Sequence, residues 1–378
     1  MSNSFEEEWA SNEDQLMREA NSLGDLLARM RGSFSALPIS GKHWERVFDN
    51  AKDLPPTLAG FPLWIGFSVD ESRSPVLLDV SVLGGTRSAD YFMQCAKSGN
   101  GCLSIDRIAS LLDKLDNAGS SLSDIVGNRV LVEYPIEPDG KAKSDCGYFL
   151  YPIQPTLAGG AAGQKLSEFH AAYDALSAVS GHAGDGGRRR YADSAYRALD
   201  PGTRIGAMGA FVSNPDLFRI TALGFNAPGE AMSYLERLGL SKQQSRIASV
   251  LERLEARGAL SGMQLGVQVD LGESGFAPAL EIQIFSANTI YDQTGWFKDR
   301  ECWTELIDGL RREQIADAEK LMGVAEWSAV AKPLIGRSSV FLLLQRIHHF
   351  AIILDNNGKL RVNAHVFLLT TRWPGQKD

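Results

Sequence analysis

Four cysteines in 378 residues, Cys95, Cys102, Cys146 and Cys302, are too few and too scattered to build a disulfide framework. None forms the Cys-x-x-Cys pair of a zinc or redox centre, and a reducing cytosol suits such usage best. No run of eighteen apolar residues occurs, so no membrane-spanning helix and no membrane partner are expected. Basic residues are the minority, 38 Lys and Arg against 46 Asp and Glu for a net charge of -8, which argues against a nucleic-acid partner. The segment Phe5-Glu6-Glu7-Glu8-Trp9 is acidic where a secretory signal would be basic and then apolar. Chemical signatures are missing too. Gly159-Gly160-Ala161-Ala162-Gly163 lacks the Gly-Lys-Ser/Thr ending of a phosphate loop, and there is no Asp-Asp-x-x-Asp run for magnesium-bridged diphosphate. Gly-x-Ser-x-Gly, His-Glu-x-x-His and the dinucleotide glycine fingerprint are likewise missing, so neither metal nor cofactor is expected.

What is present is repetition. Five pairs of alternating apolar and polar strands recur: Leu63 to Leu83, Arg129 to Tyr151, Arg204 to Phe225, Gln264 to Phe285, and His349 to Leu369. Helical sequence separates the pairs, and no strand-helix-strand parallel crossover signal intervenes, so one antiparallel sheet with helices on one face is expected. A sheet of about ten strands curls, and closure removes its exposed edges. The sequence therefore predicts an α+β fold, a closed ten-stranded antiparallel barrel ringed by helices and enclosing a lumen. Residues 1–34 read as an N-terminal helical segment, with one amphipathic helix over 4–34. Residues 35–378 read as a single barrel domain. Further helices are expected over Gln164 to Ser180 and Cys302 to Ala325, among others. The stretch His182 to Arg190, rich in glycine and ending in three arginines, reads as a solvated surface loop or a lid over an anion.

Strand parity then sorts side chains between lumen and helix layer. Aliphatics Leu78, Val80 and Val82 suit the helix-covered face, which turns Asp79 and Ser81 inward. Glu281 and Gln283 alternate with Leu280, Ile282 and Ile284 in the same way. Arg361, Asn363 and His365 alternate with Leu360, Val362, Ala364 and Val366, beyond a tight turn at Asn357-Gly358. Such inward polar groups need a ligand, water or one another as partners. His348 and His349, as neighbours on a strand, are expected on opposite faces and so unable to share a metal ion. Trp64 and Trp296 either line the cavity or fill volume.

Short segments carry a resemblance. Ser68-Val69-Asp70-Glu71-Ser72-Arg73-Ser74-Pro75-Val76 resembles a Ser-x-Asp-Asp-x-x-Pro-Ile/Val segment, and Ser144 to Pro152 is similar to a Lys-x-Tyr-x-x-Pro strand. Phe218-Arg219-Ile220-Thr221 and Pro278 to Gln283 fall where Lys-x-Tyr repeats. With the five-fold pattern, these residues resemble the aromatic prenyltransferases of the αββα (PT) barrel, nearest the indole, dimethylallyltryptophan synthase branch, from about residue 35 onward. The departures are specific. The acceptor-binding glutamate of that branch is Leu77 here, and the nearest inward carboxylate is Asp79. Its diphosphate-gripping lysines read Cys146, Arg219 and Glu281, and its shielding tyrosines read Tyr148, Thr221 and Gln283, while Arg87 could keep one basic position.

The resemblance implies transfer of a prenyl group from an allylic diphosphate to an aromatic acceptor, an indole or a peptide side chain. Arg87 and Arg219 would hold the diphosphate, and Asp79 or His365 would take the proton. Tyr148, Glu281, Gln283, Arg361 and Asn363 would contact substrate. The residues themselves leave alternatives. Arg219 could be a salt-bridged strand arginine, Asp79 its partner, and the Arg361, Asn363 and His365 row a self-satisfied network. The same barrel could instead carry out acid-base cyclisation or rearrangement of an anionic or peptidic substrate with Asp79, Glu281, Arg361 and His365. It could also be a non-catalytic binding protein.

Overall fold

The computed structural model describes residues 12–34, 37–70, 74–99, 103–116, 121–137, 146–153, 156–160, 165–181, 186–212, 214, 217–287, 300–327 and 330–372. Its strands are β1 (Leu63–Ser68), β2 (Val76–Leu83), β3 (Arg129–Ile136), β4 (Gly147–Leu150), β5 (Arg204–Phe211) and β6 (Phe218–Phe225). They continue as β7 (Met263–Gly272), β8 (Gly275–Ser286), β9 (Val330–Ile335), β10 (Val340–Leu354) and β11 (Leu360–Arg372). Strands β1 to β8 pair in chain order, β8 pairs β10, β10 pairs β11, and β11 returns to β1. The closing seam runs antiparallel from Leu63 opposite Leu368 to Ser68 opposite Asn363. The barrel is thus closed, ten-stranded and antiparallel, as the five hairpins predict. Strand β9 is an addition that the sequence reading missed. It pairs with the early half of β10, which begins at Val340 rather than at His349.

The helices are α1 (12–19), α2 (Leu23–Arg29), α3 (Gly41–Ala51), α4 (Arg87–Lys97), α5 (Leu103–Asp116) and α6 (Ser121–Val126). After these come α7 (Leu166–Ser180), α8 (Gly186–Arg197), α9 (Pro228–Arg237), α10 (Ser241–Ala256), α11 (Arg300–Arg312) and α12 (Ala318–Trp327). They pack on the aliphatic side of the strands. Val80, Val82, Val130, Val132, Ile220, Ile282, Ile284, Val362 and Val366 are all sealed beneath them. Each such side chain contributes roughly 1.5–3 kcal/mol of burial, so this wall, rather than the lumen, holds the barrel together. Aromatic contacts bind the helices to one another: Phe34 stacks on Trp44 at 4.7 Å, and Phe169 of α7 stacks on Tyr196 of α8 at 4.7 Å. Among the described residues no helix is long and apolar enough to cross a membrane.

Three helical expectations are corrected. The helix expected over 4–34 is broken, because Ser22 caps α2 by accepting from the Asp25 amide at 3.1 Å, which starts a new helix. Residues 4–11 lie outside the described residues. The helix expected over Cys302 to Ala325 divides into α11 and α12, with Gln314 at φ 55 between them and the Asp317 carboxylate capping Lys320. The arginines 188 to 190 are helical, not a loop. Arg188 is buried on α8, and Arg189 pairs with Asp174 of α7 at 2.9 Å. Residues His182 to Asp185 lie outside the described residues, as does Trp296.

Helix α1 fastens two distant parts of the molecule. Glu13 accepts from the Arg87 and Ser88 amides at the start of α4, at 2.8 and 3.3 Å. Glu19 is buried and accepts from the amides of Arg337 and Ser338 and from the hydroxyls of Ser338 and Ser339, in the turn between β9 and β10. Burial works against its charge, but the Ser338 and Arg337 hydrogen bonds prevail and lower its pKa below 4.5. A lowered carboxylate stabilises the fold above its unfolded pKa, and that stabilisation is lost as pH falls through the folded value. Glu19→Gln should therefore cost about 1.5–3 kcal/mol in urea unfolding at pH 7, and the gap to the unmutated chain should narrow below pH 4.5. Equal stabilities at pH 7 would show that the turn is held by other contacts.

Candidate functional site

Cross-strand partners share a face of the sheet, so the registers define the lumen wall. Trp64 lies opposite Asp79, Asp79 opposite Glu133, and Glu133 opposite Gly147. Farther round, Arg219 lies opposite Asp270 and Gln268 opposite Glu281. Ala351 faces Gln283 and Asn363, and His365 faces both His349 and Gly66. The two faces differ in solvent access. Val80 and Ile282 are wholly sealed, whereas their neighbours Asp79 and Gln283 keep 6% and 8% of their surface.

Arg219 stands at the centre of the lumen's electrostatics. Its Nε and Nη2 donate to the two carboxylate oxygens of Asp270 at 2.8 and 3.1 Å, and its guanidinium lies 4.8 Å from the centre of the Phe211 ring. Burial works against the charge, but Asp270 outweighs it and raises the Arg219 pKa. The same guanidinium acts on three further carboxyls. Burial and then Glu133 push Asp79 well above the usual carboxylate range, with Arg219 opposing. Glu133 is raised by burial, by Glu281 and by Asp270, again against Arg219. Glu281 is raised by burial, although it accepts from Gln283 at 2.8 Å and from Gln268 at 3.0 Å. Tyr151, close to Asp79 and Glu133, is pushed up by burial and carries Arg129 over its ring at 5.4 Å. One cation shared among four carboxyls favours the protonated acid at Asp79 and Glu133, where two like charges cannot both be accommodated.

Between β8 and β1 in the closed strand order lies a histidine cluster that strand parity hides. The β10 register shifts between Ile347 and His349, a bulge that leaves His348 without a partner and turns both rings to one side. His348 and His349 share a hydrogen bond between their Nδ1 atoms at 2.7 Å, so the expectation of opposite faces is overturned. His349 stacks on His365 with ring centres 4.1 Å apart, and Phe285 meets both His348 and His349. Burial holds His348 down at about 4; burial, then His348 and Arg219, hold His365 down at about 3. His365 is thus a neutral imidazole near pH 7, not the group expected to exchange protons there. No group of three His, Cys, Asp or Glu that could hold a metal ion occurs among the described residues.

Two expected site residues stand elsewhere. Arg87 is on the first turn of α4 with its side chain 59% exposed and paired with Asp14, so it does not join Arg219 around an anion. Tyr148 faces the helices, because Leu131 and Glu133 share their face with its neighbours Phe149 and Gly147. Its hydroxyl meets Arg107 of α5 and Ser180 of α7, and burial takes it up to about 12. Arg361 lies toward the barrel end, paired with Asp355 of the adjacent turn at 3.1 Å. Glu133, Asp270, Gln268 and His349 were missed as site residues. Asp270 was within reach of the sequence, as the residue that hairpin register sets opposite Arg219. The amides of Gly159 and Gly160 donate to the carbonyls of Thr203 and Leu199, and 161–163 lie outside the described residues.

No family model matches the chain, and no curated protein matches it. Solved structures do. The 5-dimethylallyl tryptophan synthase of Streptomyces coelicolor, in complex with DMASPP and Trp, is 15% identical over 91% of this chain and 94% of that one, with a TM-score of 0.52. AnaPT from Neosartorya fischeri is 11% identical over 92% of this chain and 94% of that one, also at 0.52. At such identities the likeness establishes the fold alone, a closed αββα barrel.

Gly66 is the position where the lumen wall admits the His365 ring. A Cβ there would lie 2.7 Å from His365 Cε1 and 3.2 Å from the Leu77 Cβ. Gly66→Ala should displace His365 from His349 and cost about 1–3 kcal/mol, as overpacking does, with changed histidine ring signals by NMR. Unchanged ring signals would contradict this packing. A second expectation follows from Asp79. With its pKa raised in the fold, the folded chain keeps a proton that the unfolded chain releases, so stability falls as pH rises through that window. Asparagine cannot ionise. Asp79→Asn should therefore raise the melting temperature, relative to the unmutated chain, more at pH 8 than at pH 5.

Proposed function

We propose that this chain is a PT-barrel enzyme that moves protons on an uncharged or cationic substrate, with the Asp79 and Glu133 carboxyls as its acid and base. The observation that carries this reading is the commitment of Arg219. It is clasped by Asp270 on two prongs and surrounded by further carboxyls, while Arg87 is outside the strands. A diphosphate needs several converging cations to leave with its charge neutralised, and this lumen offers acids instead. In the proposed cycle one of these two carboxyls, protonated at rest, donates to a basic atom of the substrate. The resulting carboxylate is stabilised by Arg219 and recovers a proton from another position of the same molecule. The net change is a cyclisation or rearrangement without loss or gain of a proton. The other carboxyl, on the neighbouring strand, either holds the second proton or relays it. A general acid works best when its pKa is near the working pH, which is what burial and like charge favour here.

The test is spectroscopic. Infrared difference spectra at pH 7 should contain a protonated-carboxyl carbonyl band that Asp79→Asn or Glu133→Gln removes. Spectra with ionised carboxylates alone would defeat the reading.

Prenyl transfer is the second reading, favoured by the fold shared with the dimethylallyl tryptophan synthase and by the aromatic lining of Trp64, Phe149, Phe211 and Phe285. Its donor would be an allylic diphosphate and its acceptor an indole-like ring or a peptide side chain. It requires Arg219 to leave Asp270 for the diphosphate, beside Arg361 and Asn363. Incubation with dimethylallyl diphosphate and tryptophan should yield no prenylated product on the first reading, and product formation would reinstate the second.

A further inference from the structure

The hydrogen-bond inventory of the lumen is unbalanced. Donors around Arg219 are already engaged: Arg219 gives to Asp270, and the amides of Gln268 and Gln283 give to Glu281. Among the atoms on the lumen face of the described residues that can accept and have no protein partner are Asp79 Oδ1, Ser81 Oγ and His349 Nε2. All three belong to side chains more than nine-tenths buried. Buried polar groups are ordinarily satisfied. A carboxyl oxygen, a hydroxyl and a ring nitrogen of a neutral imidazole can all accept, so the complementary ligand is one rich in N–H donors. Charge agrees with this, since carboxyls outnumber cations around Arg219. Aromatic faces agree as well, because Trp64 lies directly opposite Asp79 and Phe285 lies against His349, and such faces attract organic cations.

We infer that the lumen binds an organic cation, a guanidinium or ammonium group, whose N–H groups are received by Asp79 and Ser81 on β2. This deepens the proposed function by naming the substrate class, and it rests on that reading. Binding trades the Asp79 proton for the ligand's charge: the proton leaves to solvent, the carboxylate pairs with the cation and is then the base of the cycle, and Glu133 keeps its proton as the acid. The groups that face Asp79 during this exchange are Glu133 from β3, Tyr151 beyond β4, and Arg219 from β6, while β1 presents only Trp64. The cation can be a free amine or guanidine, or the side chain of a peptide.

Calorimetric titration of the whole chain with ethylguanidinium, ethylammonium and the tripeptide Gly-Arg-Gly, at pH 6 and pH 8, tests this, with propionate as the anionic control. The expected result is saturable binding of cations but not of propionate, at least tenfold tighter at pH 8. Binding should weaken at least tenfold in Asp79→Asn, with a smaller loss in Ser81→Ala, and should remove the part of the protonated-carboxyl infrared band that Asp79→Asn removes. Much tighter binding of the tripeptide than of ethylguanidinium would identify a peptide side chain as the source, and equal affinities a free small molecule. If no cation binds, or binding is insensitive to pH, while the carboxyl band is present, the inference falls and the acid-base reading stands. If the band is missing from the unliganded protein, both fall.

Discussion

The ion pair between Arg219 and Asp270 sets the terms for everything else in the lumen. A guanidinium cannot be left alone inside a barrel, because an uncompensated buried charge costs several kcal/mol. Asp270 meets that need from the adjacent strand with both oxygens, and Phe211 covers the flat face of the guanidinium. What remains of its field is divided among Asp79, Glu133 and Glu281, none of which it serves fully. Burial raises those carboxyls and Arg219 opposes it only in part, while burial first and the same positive charge after it hold His365 neutral. Around this one pair the lumen gathers carboxyls that keep their protons more tightly than exposed ones, beside imidazoles held neutral.

Closure of the sheet is the second constraint, because it assigns every strand residue to one of two environments. The outer face is aliphatic and dry beneath the helices. The inner face is free to vary its chemistry, since it contributes less to stability. This division explains how a chain only 11–15% identical to solved structures can keep their architecture.

The fold was readable from sequence because it depends on parity and repetition, which survive when individual residues change. Leu78, Val80 and Val82 against Asp79 and Ser81 reveal two faces without any contact information. What was not readable depends on single departures from regularity. One extra residue in β10 turns His348 and His349 to the same side, and no pattern of residue types announces such a bulge. Tyr148 stands on a strand of four residues with apolar side chains on both faces, where alternation does not choose a side. Arg87 follows the strand end and obeys helix geometry, to which strand parity does not apply. Arg188 to Arg190 follow glycines that suggest a loop, yet the helix forms because Tyr191, Ala192, Ala195 and Tyr196 give it a face to bury. Partners across strands, such as Asp270 for Arg219, become visible only once the order and register of the hairpins are fixed.

Arg219 is already occupied by Asp270, and calorimetry with dimethylallyl thiolodiphosphate tests that occupancy directly. The unmutated chain should give no saturable heat, while Asp270→Asn, which releases the guanidinium, should acquire measurable affinity. Tight binding by the unmutated chain, with affinity unchanged or weakened in Asp270→Asn, would contradict the account and return the lumen to diphosphate chemistry.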